Sequence, residues 1–180
     1  FGNVDIELGN PVVLVGPNNS GKTSALQALA LWDIGLRRWN EKRRGKVAPE
    51  KRPGVTINRR DLIAVPVPDA NLLWRDLHVR DVQMVYDAKK EKNIPQTENI
   101  RVDIIVEGVY DSHAWTCGLE FDYANEESFY CRPLRLSEEN PNRMPIPEDA
   151  SYVRVAFLPP MSGLAANETR LDPGAVNVRL

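Results

Sequence analysis

The residues best equipped for chemistry stand together near the start of the chain, as Gly16-Pro17-Asn18-Asn19-Ser20-Gly21-Lys22-Thr23. Their spacing is that of G-x-x-x-x-G-K-[ST], a loop that cradles phosphate. Gly16 and Gly21 let the backbone turn tightly with no Cβ between it and a ligand. Loop amides then point inward, and the helix that follows adds free N–H groups and the positive end of its dipole. Lys22 is long enough to reach β and γ phosphates, and the Thr23 hydroxyl is a ligand for Mg2+. The bland alternative is a glycine turn before a helix with a chance Lys-Thr. Four fixed positions at ordinary residue frequencies match by chance in about one chain of this size in a hundred. Phosphate binding is therefore expected from Gly16, Pro17, Asn18, Asn19, Ser20, Gly21, Lys22, Thr23 and Ser24. Lys22 is the candidate catalytic residue and Thr23 the candidate metal ligand.

Such a loop needs a strand to deliver it and a helix to follow. Val12-Val13-Leu14-Val15 is a continuous, largely β-branched run of the kind found in strands covered on both faces. Val4 to Leu8 alternate as a short strand does, and Gly9-Asn10-Pro11 supplies a turn between the two. Ser24 to Leu36 carry Leu26, Leu29, Ala30 and Ile34 at helical spacing. From Arg37 to Arg60 the chain is basic, and Gly45, Pro49, Pro53 and Gly54 argue against one long helix there. Leu72 to Leu77 read as a short helix. Val79 to Tyr86, Ile100 to Tyr110, Ala114 to Tyr123 and Ser128 to Leu136 are rich in Val, Ile, Tyr, Phe and Trp and read as strands. The breaks between them (Lys89 to Asn93, Asp111-Ser112 and Asn125 to Glu127) are too short for parallel crossovers, so antiparallel pairing is expected. A proline-rich loop, Pro141 to Pro147, precedes a last apolar strand, Tyr152 to Leu158. The division expected is 1–36 for strand pair, loop and helix, 37–60 for a basic insertion, 79–136 for an antiparallel lobe and 152–180 for a further core strand.

With 180 residues, 42% hydrophobic and 27% charged, the chain suits one globular domain with a real core, which excludes disorder throughout. No apolar run approaches the ~20 residues of a membrane helix, and no signal-peptide pattern opens the chain. Cys117 and Cys131 are too few for a disulfide framework and read as buried reduced thiols in a cytoplasmic setting. A chain opening at Phe1 reads as a trimmed or partial product. The net charge of −2 hides a local balance of +8 between Arg37 and Arg60, leaving −10 for the rest. That block is either a solvated insertion or a contact for a polyanion such as DNA. His78 and His113 stand apart and read as surface or strand residues. Trp32, Trp39, Trp74 and Trp115 read as core before they read as base-stacking platforms. Glu126-Glu127 and Glu138-Glu139 read as solvated turns.

The string GPNNSGKTS, Gly16 to Ser24, resembles the ABC-type ATPase heads of the SMC, Rad50, RecF and OLD-like families. Those heads open with a short strand pair, then the P-loop and its helix, then an antiparallel lobe, the order read here. Tyr152 to Leu158, ending in Phe157-Leu158-Pro159-Pro160, is similar to the strand that leads into the family's Q-loop. The resemblance implies an α/β P-loop NTPase with a mixed sheet and an antiparallel β-lobe. It further implies ATP and Mg2+ as ligands, ATP hydrolysis by a dimer whose second ATPase head completes each site, and a role in DNA repair, chromosome maintenance or defence against foreign DNA. The sequence departs from the family in three places. Met161-Ser162-Gly163-Leu164 offers no Q-loop glutamine, and no Leu-Ser-Gly-Gly signature occurs. Ile104-Ile105-Val106-Glu107, the string nearest to a Walker B, lacks its Asp. In the family the signature and the Walker B lie further downstream, so the chain reads as the N-terminal half of a head. The guanine-reading Asn-Lys-x-Asp and the switch Asp-x-x-Gly of GTPases are absent. The remaining alternatives are a binding or scaffold module that does not hydrolyse nucleotide and a small-molecule phosphotransferase.

Overall fold

Between residues 100 and 133, strand-forming side chains are interrupted by breaks of about two residues, which only hairpins can bridge. The computed structural model describes residues 2–43, 54–62, 67, 69–87, 91–137, 140 and 142–156. They form a mixed α/β structure with one helix, α1 (Lys22–Arg43), and six strands. The strands are β1 (Val55–Asn58), β2 (Arg80–Asp87), β3 (Lys92–Asn99), β4 (Arg101–Tyr110), β5 (His113–Asn125) and β6 (Ser128–Pro133). Among the described residues all pairing is antiparallel, in a four-stranded sheet of order β1-β6-β5-β4 and a two-stranded ribbon of β2 and β3. Asp111 and Ser112 turn β4 into β5 with φ of 46° and 65°, the doubly left-handed geometry that matches strand twist.

Alternation along β5 sends Trp115, Cys117, Leu119 and Phe121 to one face, joined by Val55, Ile57, Phe129 and Cys131 of β1 and β6. Helix α1 packs on that face. Trp32 is fully buried, stacks on Trp115 with centroids 6.2 Å apart, and donates its indole N–H to the Cys117 carbonyl at 3.0 Å. Gly35 is where helix and sheet come closest, since a Cβ there would lie 2.9 Å from Cys131 Sγ. Trp74, reached through single turns of 3-10 helix at Ala70–Leu73 and Arg75–Leu77, closes the far end against Tyr123 and Phe129. No helix among the described residues is long and apolar enough to cross a membrane.

Several expectations are corrected. Neither Val4 to Leu8 nor Val12 to Val15 is a strand, and Val13 and Val15 are 81% and 89% exposed. A strand covered on both faces needs neighbours on either side, and α1 spends its apolar side on the antiparallel sheet instead. Tyr152 ends a 3-10 turn, Asp149–Tyr152, and residues 153–156 belong to no strand; Phe157 and Leu158 lie outside the described residues, as does all of 157–180. No parallel strand is present among the described residues, so the sheet is not mixed there. The segment 37–60 is not one insertion: α1 continues through Arg43, and Val55–Asn58 is an edge strand of the main sheet. Lys92–Asn99, read as a polar break and its sequel, is the second strand of the ribbon.

Candidate functional site

The loop is built by local geometry. Pro17 to Ser20 close a turn in which the Ser20 N–H donates to the Pro17 carbonyl at 3.3 Å. Asn19 is left-handed at φ 62°, and Gly21, at φ 87°, takes the chain into α1, whose first bond runs from Ala25 N–H to Gly21 O at 2.9 Å. A Cβ on Gly16 would meet Ser20 Oγ at 2.8 Å, so a larger residue there would have to displace the Ser20 hydroxyl. Lys22 is the first residue of α1, and its side chain folds back over the loop. The ammonium donates to Gly16 O at 2.8 Å, Pro17 O at 2.7 Å and Ser20 Oγ at 3.2 Å. Gly16, Pro17, Asn18, Asn19, Ser20, Gly21, Lys22, Thr23 and Ser24 thus form one continuous structure, with Thr23 and Ser24 exposed on the first helical turn. The arrangement places a cation beside free amides at a helix N-terminus, a combination suited to an anion with several oxygens.

The helix that carries the loop is tied down further along. Asp33, 2% exposed, pairs with Arg37 at 3.2 Å, and burial pushes its carboxyl above the usual range while Arg37 and Arg154 pull the other way. Asn40 donates to Ser151 Oγ at 3.0 Å. Six of the ten basic residues of the 37–60 block are described, and most of their charge is matched within the chain. Arg38 pairs with Glu41 and Asp61, and Arg59 and Arg60 both reach Glu127. Arg44, Lys46, Lys51 and Arg52 lie outside the described residues.

The four tryptophans are core residues. Cys117 and Cys131 are free and buried on one face of adjacent strands, and burial pushes the Cys117 thiol up to about 12 and Cys131 higher still. Neither supplies a thiolate at neutral pH. His78 and His113 are exposed. Among the described residues no group of three His, Cys, Asp or Glu side chains is placed to hold a metal ion. One cluster escaped the sequence reading: Glu120 and Asp122, buried on the sheet face opposite α1, are surrounded by Arg101, Arg132, Arg135 and Arg143. Its members span 43 positions, and only the register that sets Glu120 against Arg132 brings them together. Compared with family models, curated proteins and solved structures, the chain finds no match in any of the three.

Proposed function

We propose that Gly16 to Ser24 bind the phosphates of ATP together with Mg2+. The chain would then be the nucleotide-binding part of an α/β P-loop ATPase resembling the RecF, SMC, Rad50 and OLD-like group, working with a second head and acting on DNA. The observation that carries this reading is Lys22. Its ammonium sits inside its own loop on two carbonyls and a hydroxyl, within reach of whatever the free amides bind. A phosphate entering there exchanges neutral acceptors for charged ones, and charge-assisted hydrogen bonds are about twice as strong. Thr23 contributes one hydroxyl, which suits Mg2+, an ion that draws most of its ligands from phosphate oxygens and water. When bound, the ion neutralises charge on the β and γ phosphates.

Calorimetry on the whole chain with ATP and Mg2+ tests the reading. Lys22→Ala removes a charged contact worth ~1.5–3 kcal/mol, so affinity is expected to fall about 10- to 100-fold with the melting temperature unchanged. Equal affinity in the two proteins overturns it. A second reading, a nucleotide-dependent module without hydrolysis, is favoured by Ile104-Ile105-Val106-Glu107. That string lies within β4, paired to β5, with Glu107 exposed on the face away from α1.

A further inference from the structure

The sheet face that α1 leaves open carries an unusual charge arrangement. Glu120 and Asp122 are 1% and 4% exposed, and four guanidinium groups converge on them, Arg101 from β4, Arg132 from β6, and Arg135 and Arg143 from a short antiparallel bridge. Arg132 bonds to both carboxylates, and Arg143 bonds to Glu120 and to the Pro133 carbonyl. Those bonds leave Asp122 Oδ1 buried without a hydrogen-bond partner. Arg101 and Arg135 are held differently. Arg101 Nε stands 3.8 Å from Glu120 and 3.6 Å from Asp122, and Arg135 Nε stands 3.9 Å from Glu120, all beyond hydrogen-bond distance. Both side chains remain about one-third exposed, at 34% and 30%. Asp103, set across from Glu120 on β4, is the only further acid in the cluster among the described residues, so four positive charges meet three negative ones. Burial, with smaller pushes from Arg132 and Arg135, pulls the Arg143 pKa down against the opposing pull of Glu120.

Two guanidinium forks fixed in place by charge, with donors not spent on those carboxylates, are suited to oxygens of an incoming anion. Arg101 faces one oxygen of Glu120 and Arg135 the other, so the two guanidinium groups flank the same carboxylate. We infer that Arg101 and Arg135 form a clamp for a phosphate group on the sheet face opposite α1, built beside the Glu120–Asp122 pair and separate from the Gly16–Ser24 loop. The phosphate belongs either to a nucleic-acid backbone or to a free phosphate compound, and both present the same oxygens.

The test uses the full chain carrying Lys22→Ala, so that the loop contributes nothing and the two sites fail independently. The probes are a labelled 20-nucleotide single strand, followed by anisotropy across a salt series, and inorganic phosphate, followed by calorimetry. Arg101→Gln with Arg135→Gln is expected to weaken the oligonucleotide about tenfold and flatten the salt slope by ~1.4, two single-strand phosphate contacts. Binding of both probes with the same arginine dependence identifies free phosphate as sufficient; binding of the oligonucleotide alone identifies a polymer backbone. Arg101→Lys with Arg135→Lys keeps the charges facing Glu120 but not the forks, and it decides the matter if the Gln variant melts early. Wild-type-like binding of both probes by the folded double variants, or no binding by the parent, overturns the clamp.

Discussion

At the scale of single residues, α1 carries a buried acid, Asp33. Asp33 lies in the core side of α1 with its pKa raised by burial, opposed by Arg37, Arg154 and a backbone bond from Val155. An acid with a higher pKa folded than unfolded supports the fold best while protonated. That support is whole below the ordinary carboxylate value of ~3.9 and declines as pH rises through the raised value. Asp33→Asn stays neutral throughout. Its urea midpoint is therefore expected to gain on the wild type between about pH 4 and about pH 7; a difference that does not change across that window refutes the assignment. The loop residues were readable because their spacing is local: Gly16, Gly21 and Lys22 are fixed within seven positions. Glu120, Asp122, Arg132 and Arg143 were not, since nothing along the chain distinguishes a buried acid from a solvated one until strand register is known.

At the scale of elements, α1 is decided by Gly35. Replacing it with Ala gains about 1 kcal/mol of helix propensity. The new methyl, however, would lie 2.9 Å from Cys131 Sγ and 3.0 Å from the Phe121 ring. Both neighbours are buried and cannot swing away. Overpacking of that kind costs ~1–3 kcal/mol, so the clash wins and Gly35→Ala is expected to lower the urea midpoint. A raised midpoint would show that the helix has room to move outward. Strands β4, β5 and β6 were legible because alternation and short turns coincide. The ribbon strand Lys92–Asn99 was not, because both its faces meet solvent and Pro95 sits at its centre, so no apolar alternation marks it. Val12 to Val15 misled for the opposite reason: the composition is that of a buried strand, but burial requires flanking strands that the described residues do not supply.

At the scale of the whole molecule, the pieces amount to a glycine loop and its helix mounted on an antiparallel platform. Positioning and charge stabilisation supply nearly all of the catalysis in phosphoryl transfer, and the string nearest to a Walker B is committed to β4. The purified 180-residue chain is expected to hydrolyse ATP at background rate in a coupled-enzyme assay. Multiple turnovers that disappear in Lys22→Ala would mean that a water-positioning group lies within this chain after all. The bond from Trp32 to the Cys117 carbonyl has a further consequence, for the order in which the protein is made. It joins residues 85 positions apart, and Asn40 to Ser151 joins residues 111 apart. Synthesis therefore delivers the loop first and its platform last. At ~5–20 residues per second, α1 waits roughly ten seconds for the partners that hold it. Until then its tryptophan face is bare, and the nascent chain carries the Gly16–Ser24 loop on a helix with nothing to rest against.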